Sequence, residues 1–140
     1  MMKVNPQEIQ SVVQLSAKER YEYAMKRILD QEEIWFLDDD GWVTYGDDAG
    51  NIYLPIWSAE VFAKMNAVSQ WENAQPEKLE LETFLQDSVP ELIEQNISIA
   101  IFPIAGSDIT SQMDILSFCH QVNQNLDEWY GECYDLPYLK

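Results

Sequence analysis

Three short apolar runs, separated by acidic turns, limit this chain more than any other feature. They are Ile34-Trp35-Phe36-Leu37, Trp42-Val43-Thr44-Tyr45 and a third over residues 52–57 that ends in Trp57. Asp38-Asp39-Asp40-Gly41 closes the first, and Gly46-Asp47-Asp48-Ala49-Gly50 closes the second. Aromatic and β-branched runs joined this closely predict an antiparallel meander, because only antiparallel neighbours can be linked by so few residues. Side chains alternate across a strand, so Trp35 and Leu37 fall on one face and Ile34 and Phe36 on the other. A sheet apolar on both faces must be covered twice, or must leave one face for a partner.

Helical signals surround these runs. Pro6 opens a short helix over residues 6–14. Ser16 and Glu19 form a capping box for a helix to about residue 30, with Tyr21, Ala24, Met25 and Ile28 at helical spacing. Ser58 is expected to cap a helix to about residue 68. After a loop containing Trp71 and Pro76, residues 81–89 and 90–95 predict two short helices. Residues 97–103 form the clearest buried strand. A last helix is expected to start at Ser111 with Asp114 as its capping-box partner, carrying an apolar stripe of Ile115, Phe118, Cys119, Val122, Leu126 and Trp129. The predicted fold class is α+β, an antiparallel β-meander sheet packed with helices as a two- or three-layer sandwich. With no repeat or Gly/Ser-rich linker, residues 1–140 are expected to form a single domain. Residues 1–15 are its N-terminal extension or short helix, and 131–140 its C-terminal tail.

Composition matters through charge. The net charge is -17, yet 46% hydrophobic content separates the chain from disordered acidic sequences. Residues 28–63 contain no Lys or Arg against nine acids, and residues 79–139 none against eleven. Lys18, Arg20, Lys26 and Arg27 concentrate on one helix. Such acidic expanses repel phosphate backbones and anionic lipids, so neither nucleic acid nor membrane is an expected partner. No apolar signal segment follows Met1, and no uncharged run approaches the ~20 residues of a bilayer span. Cys119 and Cys133 form no C-x-x-C pair and are too few for a disulfide framework. They read as free thiols in a reducing, bacterial-type cytoplasm.

Catalytic motifs are missing. The sequence has no Gly-x-Ser-x-Gly elbow, no Gly-rich phosphate loop and no His-x-x-x-His, so no catalytic, metal or cofactor residues are assigned. The triple Asp38-Asp39-Asp40 lacks the alternating register of a calcium loop and reads as a solvated turn. His120 falls on the polar side of the last helix, away from Cys119. Arg20, Tyr23 and Arg27 are expected to share one flank of the basic helix, where two guanidiniums around a ring suit a carboxylate or phosphate. Trp35, Trp42, Tyr45, Tyr53 and Trp57 all fall in the meander beside Asp47 and Asp48. Most belong in a core, and the remainder would form an acid-rimmed recognition surface.

The order of Arg20-Tyr21-Glu22-Tyr23, Glu33-Ile34-Trp35-Phe36-Leu37, Gly41-Trp42, Asp47-Asp48-Ala49-Gly50-Asn51 and Leu54-Pro55-Ile56-Trp57 resembles a bacterial family of uncharacterised proteins, domain of unknown function 2750. Trp71, Leu81, Phe84-Leu85 and Ala100-Ile101-Phe102-Pro103 extend the resemblance over roughly residues 15–118. It implies a small cytosolic α/β domain with no established activity and no catalytic residues to transfer. Leu54-Pro55-Ile56-Trp57-Ser58 is also similar to a strand-to-helix junction in the family named for enhanced serine sensitivity. Both resemblances imply a binding or immunity module rather than an enzyme. The sequence therefore leads to a non-catalytic protein-binding module, immunity- or adaptor-like, that docks a basic partner. The alternative is a small-molecule-binding protein or enzyme with a cleft near Arg20, Tyr23 and Arg27.

Overall fold

In the computed structural model, which describes residues 4–107 and 109–139, helices begin where side chains satisfy their first amides. Asn5 Oδ1 accepts from the Glu8 amide at 2.8 Å and starts α1 (Pro6–Val13). Ser16 and Glu19 form the reciprocal capping box expected of them and start α2 (Ala17–Gln31). Strand β1 (Glu33–Asp38) follows, and its four central residues are between 0 and 6% exposed. Both faces of the first apolar run are thus covered.

The pairing inside the predicted meander is more divided than its short connections suggest. Strands β2 (Tyr45–Gly46) and β3 (Ile52–Ile56) do pair antiparallel across the second acidic turn. The first run meets the second through one bridge, Asp38 to Trp42, and the third through another, Trp35 to Trp57. Its full ladder runs instead to β4 (Gln75–Glu80), with Glu33 opposite Glu80 and Asp38 opposite Gln75. At the first turn Asp38 Oδ1 accepts from the Gly41 amide at 3.0 Å, and Asp40 and Gly41 take φ of 56° and 120°. Beyond it the Val43 amide donates to the Leu37 carbonyl at 2.9 Å, and the pairing goes no further. Strand β4 reads as loop because it carries Pro76, Glu77, Lys78 and Glu80. A strand with one partner tolerates both proline and charge.

Strand β3 leads the second sheet, ordered β2-β3-β5-β6, with β5 (Ile97–Ile101) parallel to β3. Strand β6 (Ser111–Met113) is antiparallel to β5 and corrects the predicted start of the last helix. Ser111 is a strand residue whose hydroxyl donates to the Ala17 carbonyl at 3.2 Å. Asp114 itself caps α6 (Ile115–Tyr130), accepting from the Ser117 amide at 2.7 Å. Ser58 is likewise no cap. It lies buried at the end of the third run, and α3 (Glu60–Met65) starts from Ala59. The two short helices expected over 81–95 form one rod: α4 (Leu81–Thr83), a π-helical turn (Phe84–Ser88) and α5 (Val89–Glu94). Pro90 sits in the first turn of α5, where a helix needs no amide donor.

Helices α2, α5 and α6 pack against β5, and Leu54, Ile56, Ile99 and Ile101 join the core. The alternate residues Tyr53, Pro55 and Ala100 share the opposite face with Tyr45 and Gln112, whose side chains hydrogen-bond at 2.9 Å. The result is an α+β fold of a two-stranded antiparallel sheet and a four-stranded mixed one, as the sequence predicts at the level of class.

The cap assignment is directly testable. Asp114→Ala should cost about 1 kcal/mol of stability, read as a lower urea midpoint. The Ser117 amide holds the Asp114 carboxyl below its ordinary 3.8, so the contribution is present above that pH. It should disappear as pH falls through the folded value, and the variant and parent should then converge.

Candidate functional site

The meander aromatics do not form one patch. Trp35 and Trp57 are core residues, 6 and 0% exposed, and the Trp57 indole donates to the Pro103 carbonyl at 3.0 Å. Trp42 is half-buried, stacked on Phe36 with centroids 4.1 Å apart, and its indole donates to Glu77 Oε1 at 2.9 Å. Tyr45 lies elsewhere, 5.4 Å from Tyr53 and 6.3 Å from Trp71 between ring centroids. Asp47 is turned to its own loop. Its oxygens accept from the amides of Ala49 and Asn51, from the Asn51 side chain and from the Tyr53 hydroxyl. These donors, the Asn51 side chain first, hold its carboxyl below the ordinary 3.8. Asp48 is exposed at the tip of the same turn.

Two concave sites result. The first is a groove of about 420 Å³ lined by Asp38, Trp42 and Thr44 together with Ser88, Glu91 and Gln95. Its walls come from the two stretches that lack Lys and Arg, so the acidic expanses of the sequence meet here. The π-helical turn ends at Ser88 on its edge, a geometry that recurs at functional positions.

The second is a wider cleft of about 670 Å³ between Tyr45 and Asp47, the segment Ser69–Trp71, and the chain that leaves β5. That chain turns at Phe102, a non-glycine residue at φ 57°. It is held from behind. The Ala105 amide donates to Asn66 Oδ1 at 2.7 Å, and the Thr110 hydroxyl donates to the Ile101 carbonyl at 3.1 Å. Arg20 does most of this, donating through Nε to Phe102 at 3.1 Å, Nη1 to Leu15 at 2.8 Å and Nη2 to Ile109 at 2.7 Å, all backbone carbonyls.

The placement of Arg20 corrects the flank predicted for it. The residue is 5% exposed, and its guanidinium is engaged by backbone carbonyls rather than left open beside Tyr23 and Arg27. Those two close on an acid of the chain itself. Tyr23 donates to Glu8 Oε2 at 2.5 Å, and Arg27 Nη2 makes both a hydrogen bond and an ion pair with the same oxygen. The Tyr23 hydroxyl is pushed up to about 12, first by burial and then by Glu8. Its hydrogen bond in turn lowers the Glu8 carboxyl. Sequence reasoning missed Glu8, Glu91, Asn66 and Gln112, which are brought in from other elements. Trp71 carried a legible signal, an aromatic in a polar loop.

Among the described lining residues of both clefts there is no His or Cys. His120 is exposed on α6, while Cys119 is buried, its thiol pushed up to about 11 by that burial. Among the described residues, no group of three or more His, Cys, Asp or Glu side chains is arranged to hold a metal ion. No helix among them is long and apolar enough to cross a membrane.

Fold and clefts together define a small acidic α+β protein with open clefts at its surface. Its lineage is clear from sequence: the family model described as Protein of unknown function (DUF2750) matches residues 21–131, and the chain belongs to that family. No curated protein and no solved structure matches it.

Two outcomes follow from this geometry. Arg20→Met should cost about 2–4 kcal/mol, because one buried and two part-buried carbonyls lose a charged donor. Arg27→Met, at the Glu8 pair whose side chains are 19 and 24% exposed, should cost less, about 1 kcal/mol. Urea midpoints of the two variants distinguish them, and equal losses would contradict the assignment. Alkaline titration gives the other. Tyr23 and Tyr134 are each raised from 10.0 to about 12, chiefly by burial, and Tyr138 shifts in the same direction. An unfolded chain releases these protons near 10 while the folded chain keeps them, so stability should fall as pH rises from 10 towards 12. Phenolate absorbance should lag behind that of the unfolded chain, and uniform titration of all seven tyrosines near 10 in the native state would contradict it.

Proposed function

We propose that this protein is a non-catalytic binding module that docks a basic segment of a protein partner in the groove beside Trp42. One observation carries the reading: the two stretches without Lys or Arg together line that groove. Asp38 and Glu91 in its lining attract a cationic segment and speed its approach. A tryptophan fixed by Phe36 and Glu77 gives it a rigid apolar surface to settle on. Asp39 and Asp40 extend the acidic rim, both exposed in the adjoining turn. The same charge argues against nucleic acid and anionic membranes as ligands. Two free thiols, Cys119 and Cys133, support a reducing cytoplasm as its location.

A lysine- and arginine-rich peptide, with a neutral peptide of equal length as control, tests the reading by NMR titration. The Trp42 indole resonance should shift on binding, and affinity should fall steeply with ionic strength. Trp42→Ala should weaken binding by at least about tenfold. Glu91→Lys should do the same without touching the Phe36 stack, which covers the case where the tryptophan variant is unstable. Peptide binding that ignores both substitutions would reflect only the overall charge and would sink the proposal.

A further inference from the structure

The cleft bordered by Tyr45 and Trp71 differs in chemistry from the acidic groove and shares no lining residue with it. We propose that it binds a neutral carbohydrate of mono- or disaccharide size, seated against these two rings. Its volume of about 670 Å³ lies within the roughly 300–1,000 Å³ of small-molecule sites. The Tyr45 and Trp71 rings stand 6.3 Å apart at 49°, forming an aromatic corner rather than a flat stack. A sugar ring has a C–H face that packs on such a surface while its hydroxyls point to the rim.

The rim supplies what hydroxyls need. Ser69, Gln70 and Gln112 are exposed lining residues whose hydroxyl and amide groups both donate and accept. Gln112 already donates to the Tyr45 hydroxyl at 2.9 Å, which fixes the edge of the corner. Ions are poorly served. Among the described lining residues there is no Lys or Arg, and the one carboxylate, Asp47, already accepts from four donors of its own loop. Arg20 backs the wall without lining the cleft. An anionic ligand would also meet a molecule of net charge -17.

The cleft is preformed. Buried Arg20, Trp57 and Asn66 each bind a backbone group of the wall, at Phe102, Pro103 and Ala105. Ser69 in the lining and Phe102 beside it hold φ of 54° and 57°, rare for non-glycine residues. Such backbone persists where its surroundings impose it, and it concentrates at ligand sites. A wall already ordered costs a weakly held ligand little further entropy.

The test is titration of the isotope-labelled full chain with glucose, maltose and lactose, followed by NMR. Sorbitol, which lacks a ring face, and glucuronate, which is anionic, serve as comparison arms. The Trp71 indole and Gln112 side-chain amide should shift saturably with the ring sugars, with dissociation constants on the order of 1 mM. Trp71→Ala should weaken binding roughly threefold to tenfold, the scale of one aromatic contact. Trp71→Phe should retain part of it, and Gln112→Ala should weaken it with the fold intact, so the answer does not rest on one variant. Absence of shifts at Trp71 and Gln112 with every ring sugar would overturn the proposal. So would equal binding of sorbitol, tighter binding of glucuronate, or shifts indifferent to these substitutions.

Discussion

The buried guanidinium of Arg20 is the interaction on which the arrangement of this fold most depends. Its three donors reach the carbonyls of Leu15, Phe102 and Ile109, which lie before α2, after β5 and before β6. The last of these lies 89 residues from Arg20 in the chain. A buried arginine is costly unless its donors are satisfied, and here each of its three nitrogens has a carbonyl. The planar fork suits that task, because a lysine offers a single point of attachment. Through it the turn at Phe102 is tied to the helical layer, and the wall of the wide cleft inherits its shape.

This dependence also shows why the fold was only partly legible. Signals confined to a few neighbouring residues are explicit: the Ser16–Glu19 capping box, the proline that opens α1 and the buried run of β5 all appear where the sequence puts them. Strand β4 illustrates the opposite case. Gln75, Pro76, Glu77 and Lys78 have no strand preference of their own, and they are extended because the exposed hydrogen-bonding edge of β1 accepts them. Ser111 shows tertiary pairing overriding a local cue, since a serine three residues before an acid is a good cap until β5 recruits it. The α+β class survived these errors because it depends on the number and order of apolar segments.

The candidate sites were legible in the same uneven way. Periodicity put Arg20 beside Tyr23 and Arg27, because a helical wheel ranks arginine as polar and has no view of distant carbonyls. The partner of Tyr23 and Arg27, Glu8, comes from α1, and only packing of α1 against α2 brings it there. Among the meander aromatics, composition alone could not separate Trp57, which the core encloses, from Trp42, which it leaves half-open. What separates them is position. Trp57 bridges β1 at Trp35, whereas Trp42 follows a turn that breaks the ladder and leaves one ring face towards the groove.

Charge completes the account. Eight basic residues cannot neutralise 25 acids, and the ion pairs Lys26–Asp30, Arg27–Glu8 and Lys78–Glu33 involve α1, α2, β1 and β4. None of the three lies among the described residues that line either site. In the groove the result is a negative potential around Trp42, with Asp38 and Glu91 both in the lining. In the wide cleft the outcome is the reverse, because Asp47 is engaged by its own turn and the remaining polar side chains are neutral. One acidic molecule thereby presents two surfaces of different selectivity. The difference arises from whether a carboxylate has donors within its own loop, a distinction that net charge conceals.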